Sequence, residues 1–378
     1  MNGMMYLHPL TIGSLTLPHH IMFAPMAGVS DLPFRLLCHE QGSAMGVTEL
    51  ISAKAITYRN RNTYAMLETH PDEGPVAIQL FGSEPDVFAE AIRLILTFRT
   101  ERRFLPPDGS DRKRCHDAGK FRQKNGTACL QVIDINMGCP VPKVVSNGEG
   151  SALMKNPRLI EEIVRACVKA AATDNRAEEP SRCPCHVTVK LRSGFDKHHV
   201  NAVECALAAE AGGASMITVH ARTRDQMYSG RADWQVIRAV KEAVKVPVTG
   251  NGDVTDGDSA KRMFEETGCD GIMIARAAQG NPWVFREVIH ALRTGETLPR
   301  PDACEIRDMI RRHFDLLIQH KGEYTAVREM RKHIGWYTAG LPGASRMRDE
   351  VNRTATKEAL NALCDSYFGA LIHTIDRA

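Results

Sequence analysis

The residues best suited to chemistry stand where apolar runs give way to glycine or proline. In the segment DINMGCPVPKV, residues 134–144, an apolar run ends at Asn136, and Cys139 lies between a glycine and a proline. A thiol in that place is either a small packed residue or a group presented to a ligand. The segment alone does not decide between the two, so the elements around it have to be considered.

Other apolar runs end in a similar way. Gln79, Lys190 and His220 each stand at the end of such a run, and two later runs lead into GNGDV at 250–254 and IARAAQGNP at 274–282. An isolated lysine at a strand end is unusual, because strands buried on both faces reject unpaired charge. His220 is either a packed, hydrogen-bonded residue or a ligand contact.

The elements that carry these residues form a repeated strand–helix unit. Eight short apolar or β-branched runs each precede an amphipathic helical pattern. The predicted strands are residues 21–25, 45–48, 76–80, 130–135, 187–191, 216–220, 246–250 and 271–275. This alternation predicts parallel βαβ units, and eight of them indicate a TIM barrel, an α/β fold whose active site lies at the carboxyl ends of the strands. Asp134 and Ile135 are assigned to the scaffold.

The loops after predicted strands seven and eight are the best candidates for binding a phosphate. Barrels often bind phosphate there, and glycines let backbone N–H groups approach an anion. Each loop is also consistent with a simple tight turn. Together with Lys190 and the amide of Gln79, the two loops suit flavin mononucleotide (FMN), with its ring across the barrel mouth and Lys190 near the pyrimidine edge.

The carboxyl-terminal part has a different pattern. A proline-containing linker follows Arg293, and from about Cys304 the pattern is purely helical. The sequence predicts a TIM-barrel domain over residues 1–295, with an insertion at about 101–128, and a small all-α helical-bundle domain over 303–378. Lys and Arg exceed Asp and Glu in residues 99–124 and 324–348. Each basic segment is either a solvated surface or a contact for a phosphate backbone.

Composition is that of an ordinary globular protein, with 43% hydrophobic residues, 25% charged residues and a net charge of +3. No run approaches the roughly 18 apolar residues of a membrane span, and the first residues do not resemble a signal peptide. We expect a cytoplasmic protein, with a monomer as the default. The 11 cysteines are scattered and are taken as reduced. The CPCH segment at 183–186 has too short a cysteine spacing for structural zinc, so no metal is predicted.

Seven motifs in order along the chain resemble the tRNA-dihydrouridine synthase family, and the bacterial type is the most similar. They are APMAGVSDLPFR, QLFGS, DINMGCPVPKV with the downstream GSALM, VKLRSG, VHARTRDQMYSGRADW, GNGDV and IARAAQGNPWVF. The helical segment AVREMRKHIGWYTAG is similar to that family's carboxyl-terminal domain. The resemblance implies an FMN-dependent oxidoreductase that uses NADPH or NADH to reduce the C5–C6 double bond of selected uridines in tRNA, with hydride delivered to C6.

The resemblance also implies residue roles. Cys139 matches the cysteine that gives a proton to uracil C5, and an ordinary thiol pKa of about 8.5 leaves it protonated at neutral pH, as a general acid must be. Asn136 is expected at the substrate. The expected FMN contacts are Pro25, Met26, Ala27, Gln79, Lys190, His220, Asn251, Gly252, Asp253, Ala275 and Arg276.

The helical domain is expected to hold the RNA. A uracil in folded tRNA must leave its stack to reach a flavin in a pocket, and the enzyme needs contacts with the surrounding RNA to offset that cost. The residues expected to contact tRNA phosphates are Arg328, Arg331, Lys332 and His333.

Two other functions are consistent with parts of the sequence. One is an FMN barrel that acts on a free pyrimidine, as dihydroorotate and dihydropyrimidine dehydrogenases do; a basic helical domain argues against it. The other is an RNA-binding barrel without chemistry, which the presence of Cys139, Lys190 and His220 disfavours. The insertion at 101–128 enters the barrel far from the catalytic rim and is expected to be a mobile surface loop.

Overall fold

A short hairpin precedes the barrel in the computed structural model, which describes residues 6–101, 130–174 and 184–375. The hairpin pairs β1 (Leu10–Ile12) with β2 (Leu15–Leu17) in antiparallel fashion. Its leucines and isoleucine pack in one apolar cluster with Val132 and Met216, at the starts of two barrel strands. The hairpin therefore covers the amino-terminal end of the barrel. Apart from Glu101, the expected insertion at 101–128 lies outside the described residues.

Eight parallel strands close into a barrel, so the predicted TIM-barrel fold is confirmed. The strand segments are β3 (Ile21–Phe23), β4 (Gly46–Val47), β5 (Ile51–Ser52), β6 (Val76–Phe81), β7 (Val132–Met137), β8 (His186–Gly194), β9 (Met216–Thr223), β10 (Val248–Asn251) and β11 (Gly271–Ile274). The strands pair in chain order, and β11 pairs with β3 to close the barrel. The short segments β4 and β5 both pair with β6 and together form the second strand.

Helices surround the barrel. They are α1 (Leu32–Glu40), α2 (Ala53–Thr57), α3 (Arg61–Ala65), α4 (Pro85–Glu101), α5 (Pro142–Val145), α6 (Pro157–Asp174), α7 (Ala202–Ala211), α8 (Trp234–Ala243), α9 (Gly257–Thr267) and α10 (Val284–Thr294). The helical segment after the second strand is divided into the two short helices α2 and α3. Arg59 has a positive φ of 55°, which ends α2, and the Asn60 side chain then caps α3.

The interior of the barrel changes from apolar to polar along each strand, as β7 shows. Val132 belongs to the apolar cluster at the amino-terminal end of the barrel, whereas Ile133 and Ile135 point outwards and pack in the main core between the strands and the helices. Asp134 and Asn136, on the same face as Val132, bond to polar side chains of the barrel interior. The assignment of Asp134 to the scaffold was therefore incomplete, because period-two alternation turns its carboxylate inwards.

The carboxyl-terminal helices pack against the barrel. They are α11 (Ala303–Lys321), α12 (Glu323–Tyr337), α13 (Ala344–Arg353) and α14 (Lys357–Ile375). Lys321 Nζ lies 2.7 Å from Asp31 Oδ2, at the start of α1, and Arg312 is ion-paired with Glu40 at its end. The helical region that the sequence predicted is present. The residue bounds of the two domains stay a prediction. In the part of the chain that the structure describes, no helix is long and apolar enough to cross a membrane.

Candidate active site

A cavity of about 630 Å³ opens at the carboxyl ends of the barrel strands. This volume is within the range of roughly 300–1,000 Å³ that small-molecule sites occupy. The cavity brings together all the residues that the sequence assigned to the cofactor, and also Cys139 and Asn136. The lining residues among them are Pro25, Met26, Ala27, Gln79, Asn136, Cys139, Lys190, His220, Asn251, Gly252, Asp253, Ala275 and Arg276.

The loop after β7 presents Cys139 at the cavity wall. The backbone N–H groups of Cys139 and Gly138 donate to Asn136 Oδ1, at 2.9 Å and 3.2 Å. On the other side, Ser151 N–H donates to the Cys139 carbonyl, and a Cβ at Gly150 would lie 2.9 Å from that oxygen. The chain thus needs glycine at 150 and holds the cysteine from both sides. Burial raises the pKa of the Cys139 thiol and outweighs the Val141 N–H and the charge of Arg192, which both lower it. The thiol is therefore protonated at neutral pH.

Lys190 is a half-buried cation in the wall of the cavity. Its Nζ donates to Asn251 Oδ1 at 3.1 Å, and the β7–β8 register places it beside Asn136. Burial, and then the charge of Arg192, lower the pKa of Lys190 to about 8, and the carboxylate of Asp134 opposes both. An anionic ligand beside Lys190 would restore the full charge, so the lysine is suited to a group that carries or gains negative charge.

His220 lies next to this cation as a neutral ring. It is 8% exposed, and burial followed by the charge of Lys190 holds its pKa far below the ordinary value. Gly252, with φ of 118°, passes close by, since a Cβ there would lie 3.1 Å from His220 Cδ2. The uncharged imidazole can donate or accept a hydrogen bond at a ligand.

The end of β9 and the loops after β10 and β11 bring two arginines to one aspartate. Arg222 Nη2 lies 2.8 Å from both carboxylate oxygens of Asp253, and Arg276 Nη2 lies 3.3 Å from one of them. Arg222 Nη1 is buried and has no hydrogen-bond partner among the described residues, while Arg276 is about half exposed. Two cations against one anion leave positive charge at the cavity edge. These residues fit a phosphate group, as a flavin mononucleotide would require.

The cavity-lining residues that sequence reasoning did not assign include an arginine and a tyrosine. Arg192 is buried and holds the neighbouring loops by donating to Gly138 O at 2.8 Å and Thr223 O at 2.8 Å. Tyr228 is 53% exposed, and the guanidinium groups of Arg192 and Arg276 lie 5.8 Å and 5.2 Å from its ring. Arg192 could have been found as the next inward position after Lys190. Tyr228 lies in a loop after β9, where no periodicity applies.

The four residues expected to contact tRNA lie in four different environments on α12. Arg328 is exposed, with its guanidinium 3.3 Å from the ring centre of Tyr324. Arg331 donates to Thr354 O at 2.6 Å, and Lys332 Nζ donates to Gly28 O, in the barrel, at 2.5 Å.

The expectation for His333 was wrong, because its side chain is fully buried. It packs against Phe34, His313 and Trp336, at ring-centre distances of 5.7, 4.4 and 5.1 Å. A phosphate cannot reach it there. The helical face that carries His333 is the one that α12 turns towards the barrel.

Metal-ligating residues are not gathered in the described ranges, where no group of three or more His, Cys, Asp or Glu side chains could hold an ion. The CPCH segment at 183–186 is only partly covered, because Cys183 lies outside the described residues.

A closed parallel barrel whose strand ends surround a cavity with basic and amide side chains in its wall is the arrangement of an α/β-barrel enzyme. The family model described as "Dihydrouridine synthase (Dus)" matches residues 22–99 and 109–372. The chain is 37% identical over 357 residues to tRNA-dihydrouridine synthase B of Pseudomonas aeruginosa, covering 94% of this chain and 95% of that one. It is 36% identical over 366 residues to a probable tRNA-dihydrouridine synthase of Rickettsia conorii, covering 97% and 98%. The chain belongs to the dihydrouridine synthase family of flavin-dependent oxidoreductases.

Among solved structures, a 2-naphthoyl-CoA reductase matches with a TM-score of 0.51 at 9% identity, covering 76% of this chain and 52% of that one. At that identity the match supports the barrel fold alone.

Proposed function

We propose that the chain is a tRNA-dihydrouridine synthase that binds FMN, uses NADPH or NADH as reductant, and reduces the C5–C6 double bond of specific uridines in tRNA. The observation that carries this proposal is the meeting of Cys139, Lys190 and His220 in one cavity with an arginine-rich edge. The names of the relatives support tRNA as the substrate. Residues 1–295 would form the catalytic domain and 303–378 the tRNA-binding domain.

The cavity supplies groups for each part of the cofactor. Arg276 and the backbone of Gly252 would meet the phosphate, and Lys190 would meet the edge of the ring where negative charge gathers on reduction. The remaining contacts proposed for FMN are Pro25, Met26, Ala27, Gln79, His220, Asn251, Asp253 and Ala275. When bound and reduced, the flavin supplies the hydride for uracil C6.

Cys139 completes the reduction by giving the thiol proton to C5. Hydride and proton together saturate the double bond, and the thiolate that remains takes a proton from water before the next turnover. Burial keeps the thiol protonated until the substrate arrives, and the positive charge of Arg192 favours the thiolate that forms. Asn136, which lines the cavity and holds the backbone of this loop, would orient the thiol and contact the base.

The test is turnover of a Cys139→Ala variant on tRNA from cells that lack the enzyme. We expect the rate of dihydrouridine formation to fall by about 10²–10⁴-fold, which is the range for loss of a general acid. Flavin content and reduction by NADPH should be retained. Cys304→Ala, a half-buried cysteine in α11, is the matched control.

Two results would contradict the proposal. Full dihydrouridine formation by Cys139→Ala would remove the thiol from the mechanism. Reoxidation of the reduced protein by free uracil as fast as by tRNA would instead favour an enzyme for free pyrimidines.

A further inference from the structure

A buried chain of side-chain hydrogen bonds runs from the middle of the barrel to the cysteine loop. Gln79 Nε2 donates to Asp134 Oδ2 at 2.7 Å, and Asn136 Nδ2 donates to Gln79 Oε1 at 2.8 Å. Asn136 Oδ1 then accepts the Cys139 N–H at 2.9 Å. Gln79 and Asp134 are each 1% exposed and Asn136 is 8% exposed. Water therefore has little access to replace any link.

The two ends of this chain determine its direction. At the Cys139 end, a backbone N–H can only donate, so Asn136 must turn its oxygen to the loop and its NH₂ to Gln79. Gln79 must then accept from Asn136 and donate onwards. At the far end it meets Asp134, whose two carboxylate oxygens both accept hydrogen bonds, one from Gln79 and one from Thr188. Each amide therefore has one orientation that satisfies both neighbours, and the reverse orientation places two donors or two acceptors face to face.

We propose that Asp134 is a positioning residue, whose carboxylate orients the Gln79 amide and, through Asn136, holds the backbone that presents Cys139. Asp134 is not among the residues that line the cavity, so its carboxylate acts on the thiol only through these two amides. The same orientation decides which face of the Gln79 amide is turned to the cavity.

A second partner of Asp134 provides an internal control. Thr188 Oγ1 donates to the other carboxylate oxygen, Oδ1, at 2.6 Å. Thr188 is equally buried, at 1% exposed, but is not a link in the path to Cys139. Its removal should weaken the site around Asp134 without disturbing the loop.

The test follows the loop rather than turnover, so its outcome is separate from the proton-donor role of Cys139 and from the proposed function. Hydrogen exchange of the Gly138 and Cys139 amides and the alkylation rate of Cys139 by iodoacetamide would be measured by mass spectrometry in the full-length protein. Asp134→Leu and Gln79→Leu should each raise both rates by about tenfold, as expected for loss of one buried hydrogen bond. The double variant should show no further increase, and Thr188→Val should stay within about twofold of the native protein.

If Asp134→Leu fails to fold, the proposal can be tested by moving the carboxylate from position 134 to position 79. Gln79→Glu alone sets two carboxylates against each other and should loosen the loop most at high pH, where both ionise. Combining it with Asp134→Asn restores a donor opposite the new acceptor, and the slow exchange of the loop should return. The proposal would be overturned if the rate increases caused by Asp134→Leu and Gln79→Leu multiplied in the double variant. It would also be overturned if the combination of Gln79→Glu and Asp134→Asn did not restore slow exchange of the loop.

Discussion

The strand ends of the barrel and helix α12 both carry residues that the sequence singled out, yet the structure places them very differently. All thirteen residues expected at the cofactor, the thiol and the base line one cavity. The four residues of α12 instead divide between solvent, a neighbouring helix, the barrel and the core. A closed barrel brings its strand ends together by geometry alone, whereas a helix face is defined only by what packs against it.

The largest expected effect concerns the buried contact between α12 and the barrel, which should make the free energy of unfolding depend on pH. His313, on α11, is fully buried beside His333, with Tyr337 Oη 3.3 Å from its Nδ1. Burial, together with the charges of Lys321 and Lys332, lowers the pKa of His313 to about 4, and the charge of Asp31 opposes them. Between pH 6.5 and about pH 4 the unfolded chain binds a proton at this histidine and the folded chain does not. The contribution of His313 to the free energy of unfolding is therefore fully present above pH 6.5 and is lost as the pH falls to about 4.

Urea denaturation at pH 7 and pH 5 measures this loss. One histidine with that shift should lower the free energy of unfolding by about 2 kcal/mol between the two values, and His313→Gln should remove that part of the difference. Tyr337→Phe keeps the imidazole and should keep the pH dependence, which makes it the control. An unchanged pH dependence in His313→Gln would mean that the histidine is accessible and that the contact between α12 and the barrel is open.

The sequence was sufficient for the barrel because its strands are short apolar runs at regular intervals, and most predicted strands start or end within two residues of the observed ones. It missed β1 and β2, because this short hairpin stands outside the strand–helix repeat on which the prediction depends. It missed the role of Asp134 because a carboxylate inside an apolar run has no local signal for a partner 55 residues away, Gln79. The burial of His333 depends on Phe34 and His313, both distant in sequence.

An intermediate effect is expected at the edge of the cavity. Asp253→Asn keeps the shape and the positive φ of 58°, which asparagine tolerates, but removes the charge that faces the buried Arg222. Loss of one partner of a buried pair costs about 3–5 kcal/mol, and the 33% exposure of Asp253 reduces this to about 1–2 kcal/mol of unfolding free energy.

Asp225→Asn provides the comparison for that measurement. Its ion pair with Arg224 is also 2.8 Å long but lies at the surface, with Asp225 53% exposed. We expect a change below about 0.5 kcal/mol in urea denaturation. Equal effects at positions 225 and 253 would show that Arg222 is solvated in solution and that the cavity edge is less rigid than the strand ends suggest.

The smallest effects separate two cations on α12 that the sequence treated as equivalent. Arg328 faces solvent, so Arg328→Ala should weaken tRNA binding about threefold to tenfold and lower the slope of log affinity against log salt by about one, while flavin affinity stays the same. Lys332 holds the turn at 26–28 through the Gly28 carbonyl, and Lys332→Ala should weaken flavin binding with little change in the salt slope.

Arg158→Ala, on the exposed side of α6, is the control for lost surface charge. Only a side-chain cation that contacts a phosphate releases a counterion from the RNA. If Arg328→Ala and Lys332→Ala reduced the salt slope equally, both side chains would contact phosphates, and α12 would present one basic face to the RNA.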